Sequence, residues 1–213
     1  TCVSIDYVVV HSGVKEKFLG ALQKEINLRY PDAPNNKNYP RIINNRHYER
    51  LANLIKTEKN VIGGQKNDEK LKISPTIFPN VDFDHEIMAE EIFGPLLPVI
   101  EYNDINKVIH TIKEREKPLA CYVFTQNREL ANHVINSLSY GGGCINDVII
   151  HITNSNMPFG GVGYSGMGAY HGKSGFDTLS HKKGVVRNKT IFDLPFRYAP
   201  FDEAKFKKLK NLM

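Results

Sequence analysis

At 213 residues, with 41% hydrophobic and 10% aromatic side chains, the chain is long enough for one large or two small domains with an ordinary core. Its net charge of +5 comes from 28 basic side chains dispersed among 23 acidic ones, which reads as a solvated surface and argues against a nucleic-acid partner. No apolar stretch reaches membrane-spanning length, no signal peptide opens the chain, three cysteines without C-x-x-C spacing point to a reducing, cytoplasmic setting, and the histidines form no metal-ligand pattern.

Strand and helix patterns alternate from the start. Tyr7-Val8-Val9-Val10 is a short β-branched run, the mark of a strand buried on both faces. Val14, Phe18, Leu22 and Ile26 then recur every four residues, one stripe of a helix. After a polar loop, Tyr48, Leu51, Ala52 and Ile55 share the face of a second helix. Val61 to Gly64 and Pro75 to Phe78 read as short strands around a lysine-rich turn. Leu96 to Tyr102 is a strand, followed by a helix carrying Ile105, Val108, Ile109 and Ile112. Cys121 to Phe124 is a strand, Leu130, Val134, Ile135 and Leu138 mark a helix, and Cys144 to Ile150 is the last core strand. Repeated strand–helix–strand units imply an α/β fold, a parallel sheet between helices, with functional groups at the carboxyl ends of strands. Beyond Ile150 the pattern gives way to loops, and Lys205 to Lys210 form a basic terminal helix.

Gly161, Gly163 and Gly166 spell G-x-G-x-x-G, the fingerprint of a dinucleotide-binding turn. That turn needs an apolar strand before it and a helix after it, to hold a pyrophosphate at the helix N-terminus. Here Thr153 to Pro158 is polar and ends in proline, and Gly166, Gly168, Gly172 and Gly175 disfavour a following helix. The run is shaped for close backbone approach, and it is no phosphate cradle.

Taken together, Thr1-Cys2-Val3 with Asp6-Tyr7, Glu90-Glu91-Ile92-Phe93-Gly94-Pro95, and Pro158 to Gly168 leading into Tyr170-His171-Gly172-Lys173 resemble the catalytic domain of the NAD(P)-dependent aldehyde dehydrogenases. Asn146-Asp147-Val148 and His151-Ile152-Thr153 bring the resemblance to the class 3, fatty-aldehyde branch, from Thr1 to about Pro200. It implies a three-layer α/β/α domain with a mostly parallel sheet over residues 1–183. Residues 184–213 would then supply an oligomerisation strand, Val185-Val186-Arg187, and a tail through which membrane association is conceivable. The parent would be a homodimer that oxidises medium- or long-chain or aromatic aldehydes to carboxylic acids with NAD or NADP as cofactor.

Under the resemblance Cys2 matches the nucleophile. The chemistry asks for such a residue, since a thiolate adds to an aldehyde carbonyl and the adduct expels hydride to leave a thioester. Glu91 matches the carboxylate that accepts from the nicotinamide ribose hydroxyls, with Glu90 pointing elsewhere, and Phe93 matches an aromatic beside the nicotinamide ring. Phe93 as a plain core residue is the competing reading. Phe159 and its glycines match the loop near the aldehyde, and Ile152 and Thr153 either line the acyl tunnel or anchor its loop. His171 reads as a structural or tunnel-mouth histidine, and Cys121 and Cys144 as packing residues in strands. The Gly-Gln pair, the nucleotide-binding half, its glutamate base and its oxyanion-hole asparagine are not in these 213 residues, so the chain by itself is expected to oxidise no aldehyde. Two rival readings are an acylating or reductive thioester-forming relative, separable by product analysis, and a truncated, non-catalytic interaction module.

Overall fold

The computed structural model describes residues 1–211. The first apolar run becomes β1 (Val8–His11) and turns directly into α1 (Ser12–Arg29), where the His11 ring accepts the Gly13 N–H. Asn44 caps α2 (Asn45–Thr57) by accepting the His47 N–H. Two short strands, β2 (Lys66–Asn67) and β3 (Lys72–Ile73), pair antiparallel across the lysine-rich turn. Then come β4 (Thr76–Val81), β5 (Leu96–Tyr102) and α3 (Ile105–Lys113), capped by Asp104. β6 (Ala120–Val123), α4 (Arg128–Ser137) capped by Asn127, β7 (Gly142–Ile145) and α5 (Gly172–Thr178) follow.

The layers can be read from which side chains meet. β1, β5 and β4 form a parallel sheet in that order, with Val8 opposite Val99 and Thr76 opposite Leu96. On one face Val10, Ile77 and Val99 pack with Leu19, Phe18, Leu22 and Ile26 of α1. On the other, Phe78, Leu96 and Ile100 pack with Tyr48, Leu51 and Ala52 of α2. Neighbours along each strand therefore serve opposite helices, as the two-residue side-chain period requires. This is the α/β/α sandwich with parallel strands that the alternating pattern implied.

Several details differ from the sequence reading. The sheet is not continuous, because β6 and β7 pair parallel as a separate two-stranded unit. Val61–Gly64 makes one antiparallel bridge, Ile62 to Ile77, and no strand, since Gly63 and Gly64 both take positive φ. In α1 the stripe begins at Lys15, not Val14. The Lys15 ammonium is buried and donates to Asn80 Oδ1 (2.7 Å) and Glu101 Oε2 (3.0 Å), while Val14 is exposed. The last strand stops at Ile145. Asn146 turns left-handed (φ 56°), and its side-chain amide exchanges two hydrogen bonds with the Thr125 backbone, closing the carboxyl ends of β6 and β7. A helix does follow the glycine run, but α5 starts at Gly172, six residues past Gly166.

The chain divides after Thr178 into two compact units. The second holds a 3-10 turn, Pro195–Arg197, and the basic helix α6 (Glu203–Lys210), capped by Asp202. Among its described residues there is no strand. Val185 and Val186 stand exposed, so the strand expected at Val185–Arg187 does not form within one copy.

Candidate active site

The first four residues make a turn closed by the Ser4 N–H on the Thr1 carbonyl (3.0 Å). Val3 is its plug, only 2% exposed, and the Val3 carbonyl accepts from the Tyr122 hydroxyl at 2.7 Å. With Val3 held inward, Cys2 is left exposed as a free thiol. That is the presentation a nucleophile needs.

Asp6 lies four residues on, at the entry to β1, and reaches across to the loop before β5. Its Oδ1 accepts the Ile92 N–H (2.9 Å), and the Phe93 N–H also favours its charged form. Burial pushes the Asp6 carboxyl above its usual range, against those two donors and the Arg50 charge. Arg50 of α2 holds the same loop from the other side, donating to the Ile92 carbonyl and to Glu90 Oε1 (3.2 Å). Ile92, fully buried, is thus held at both its N–H and its C=O.

What this clamp presents is Glu91 and Phe93. Phe93 sits at φ 51°, a left-handed backbone that is costly for a bulky residue, and its ring is 59% exposed. It is therefore no core phenylalanine. Glu90 is taken by Arg50, and Glu91 stands free of hydrogen bonds among the described residues. Partial burial raises the Glu91 carboxyl first and the nearby Asp6 charge second. A carboxylate with open lone pairs beside an exposed aromatic fits a sugar that carries a flat ring, which is the nicotinamide riboside half of a dinucleotide.

A second loop system lies past β7. After the Asn146 clamp, Ile150–Thr153 is a 3-10 turn. Ile152 is half-buried, and the Thr153 hydroxyl donates to the Ile150 carbonyl (2.8 Å), which favours loop anchoring for Thr153. His151 is buried between the rings of Tyr122 (5.9 Å) and Phe159 (6.3 Å). Its Nδ1 lies 3.5 Å from Cys144 Sγ, its Nε2 has no partner among the described residues, and burial lowers its pKa. Phe159 bridges Tyr170 through two backbone hydrogen bonds of 2.9 Å and meets the Tyr170 and His171 rings. His171 Nδ1 lies 3.1 Å from the Met157 carbonyl, a structural contact.

The glycine run closes on itself. A Cβ on Gly160 would collide with the Gly168 carbonyl oxygen, and one on Gly161 with the Ser165 carbonyl. The close approach read from the sequence is thus loop backbone against loop backbone. Residues 146–158, directly before the run, form no strand.

Asp6, four residues after Cys2, holds Ile92 and with it the loop that carries Glu91 and Phe93. The structure links the Cys2 turn to the Ile152–Phe159 side through Tyr122 and His151. Asp6 stood in the opening motif without a role, and His151 stood beside two chosen residues. Arg50 and Tyr122 carried no signal, because a helix arginine reads as solvated and a strand tyrosine as core.

Residues 1–185 match the model of the aldehyde dehydrogenase family. Aldehyde dehydrogenase family 3 member H1 of Arabidopsis thaliana is 42% identical over 100% of this chain and 45% of its own length. The 4,4'-diaponeurosporen-aldehyde dehydrogenase of Staphylococcus aureus is 41% identical over 99% of this chain and 46% of its own. The chain thus spans less than half the length of these curated relatives. The solved substrate-bound state of Staphylococcus aureus AldH superposes with a TM-score of 0.87 at 40% identity, covering 100% of this chain and 47% of that one.

Proposed function

The chain belongs to the aldehyde dehydrogenase family, and from that premise we propose that it supplies the nucleophile and the nicotinamide-facing loop of an enzyme that oxidises aldehydes to carboxylic acids with NAD or NADP. The observation that carries this reading is Asp6. One carboxylate, four residues from the exposed Cys2 thiol, holds the loop that offers Glu91 and Phe93.

The Cys2 thiolate adds to the aldehyde carbon, and the tetrahedral thiohemiacetal carries its charge on oxygen, where the Cys2 backbone N–H contributes a donor. A bound nicotinamide dinucleotide supplies the hydride acceptor. Loss of hydride from the thiohemiacetal carbon leaves a thioester on Cys2. Water then releases the carboxylic acid and returns the thiol. Glu91 would accept from the ribose hydroxyls and Phe93 would limit the positions of the flat ring, so both would act on orientation.

Phe159, with the rings of His151, Tyr170 and His171 around it, forms an aromatic wall that Ile152 is proposed to extend. It supports medium- to long-chain or aromatic aldehydes as substrates, and kcat/KM rising along a series from short to long alkanals is the expected result. The exposed Val185-Val186-Arg187 segment is proposed to complete a strand against a second copy, making a homodimer detectable by sedimentation. The lysines of α6 are the segment proposed to touch an anionic membrane.

In the full-length protein, Cys2→Ala is expected to lower aldehyde-dependent NAD reduction by roughly three orders of magnitude or more, with free acid as the product of the unmutated enzyme. Retained turnover in Cys2→Ala would sink the reading.

A further inference from the structure

We propose that Tyr122 is a positioning residue for the reaction at Cys2: its side chain ties the nucleophile turn to the loop that carries Ile152 and Thr153, and so sets how the aldehyde meets the thiol. This rests on the assignment of Cys2 as nucleophile.

Tyr122 lies in β6 and meets both segments. Its hydroxyl donates to the Val3 carbonyl at 2.7 Å, across 119 positions of chain. Its ring meets His151 of the turn that follows β7 edge-on at 5.9 Å, and the Ile149 N–H favours the charged form of the same phenol. The bond holds the peptide that follows Cys2, at the buried residue whose inward packing leaves the thiol exposed. Phenylalanine would keep the ring contact and lose the bond. Burial, the largest influence on this phenol, raises its pKa and keeps it a donor at neutral pH.

The Ile149 end is strained. Ile149 sits at φ 64°, ψ −32°, and the Ile150 N–H returns to the Val148 carbonyl at 2.6 Å. This is a γ-turn of positive φ, rare in itself and rarer with a β-branched centre. Such a conformation persists only where surrounding contacts over-determine it. The 3-10 turn Ile150–Thr153 starts at the next residue, and its His151 packs against the Tyr122 ring. The Tyr122 ring is itself held edge-to-face by His151, which packs on Phe159. One side chain therefore references the thiol and the aldehyde wall to each other. Misplacement of reacting groups by about 1 Å costs on the order of 100-fold in rate.

The test uses the full-length protein. Tyr122→Phe keeps the ring and deletes the bond to Val3. Its kcat for aldehyde should fall roughly 10- to 100-fold, while the KM for NAD stays within about twofold, because Asp6 and Arg50 still hold the Glu91 loop. The pH profile of Cys2 alkylation by iodoacetamide should be displaced, a readout that a packing role alone would not move. Ile149→Gly keeps the bond to Val3 and relaxes the strained turn. It should raise the aldehyde KM and leave Cys2 alkylation unchanged, and it serves if Tyr122→Phe does not fold. A Tyr122→Phe enzyme with the parent's kcat and alkylation profile overturns the proposal, as does an Ile149→Gly enzyme with the parent's aldehyde KM. If Cys2→Ala is dead while Tyr122→Phe is silent, only the role of Tyr122 falls. If Cys2→Ala stays active, the assignment of the nucleophile falls with it.

Discussion

Two loops frame the proposed chemistry, and they are held in opposite ways. The Glu90–Pro95 loop is held by side chains. Asp6 takes the Ile92 N–H, Arg50 donates to the Ile92 carbonyl, and the left-handed backbone of Phe93 follows directly on that clamp. The Pro158–Gly168 loop is held by its own backbone, carbonyl oxygens packing where a Cβ would stand on Gly160 and Gly161. A loop held by side chains can be loosened one bond at a time. One held by missing side chains tolerates no addition, because displaced backbone has nowhere to go.

The sharpest way to break that contrast is Gly160→Ala in the full-length protein. The added methyl meets the Gly168 carbonyl and a neighbouring Cα at 2.9 Å, both backbone. Overpacking of this kind costs about 1–3 kcal/mol. Aldehyde turnover should fall by roughly 100-fold as the Phe159–Tyr170 bridge shifts. Kinetics and a melting curve check this, and a near-silent variant would mean the loop rearranges freely. Next is Arg50→Met, which leaves the Ile92 carbonyl without its donor, a loss of about 1–3 kcal/mol. The KM for NAD should rise several-fold or more while Cys2 alkylation is unaffected. An unchanged KM would leave the clamp without a functional role.

A smaller effect is expected with pH. Burial depresses the pKa of His151 below its ordinary 6.5. A depressed base lends stability that is whole above its unfolded pKa and is lost as pH falls through the folded one. The melting temperature should therefore decline as pH drops below about 6.5, and His151→Phe should flatten that part of the profile relative to the parent. An identical slope in both proteins contradicts the burial argument. Smallest of all is Glu90→Gln. The carboxylate is largely exposed in its pair with Arg50, so the change should stay within about 1 kcal/mol. A NAD KM close to the parent's would show that the Ile92 carbonyl, and not the ion pair, is what Arg50 is there to hold.

The core of this fold was legible in the chain because it obeys simple periods. Val8 to Val10 and Leu96 to Ile100 alternate between two helices, and Leu51 and Ala52 fall on one helical face. Cys2, Glu91 and Phe93 were legible as residue types in a recognisable order, and the alternation carried the α/β sandwich. What only the tertiary structure decided is whatever depends on contacts distant in sequence. Asp6 reaches Ile92 over 86 positions and Tyr122 reaches Val3 over 119. The last strand ends at Ile145 because the Asn146 amide finds the Thr125 backbone, a partner 21 residues away. Local periodicity follows from the geometry of a single helix or strand, so it is written into neighbouring residues. A hydrogen bond that holds a loop is chosen by whatever folding brings alongside, and an arginine on a helix or a tyrosine in a strand looks the same in sequence whether or not such a partner exists.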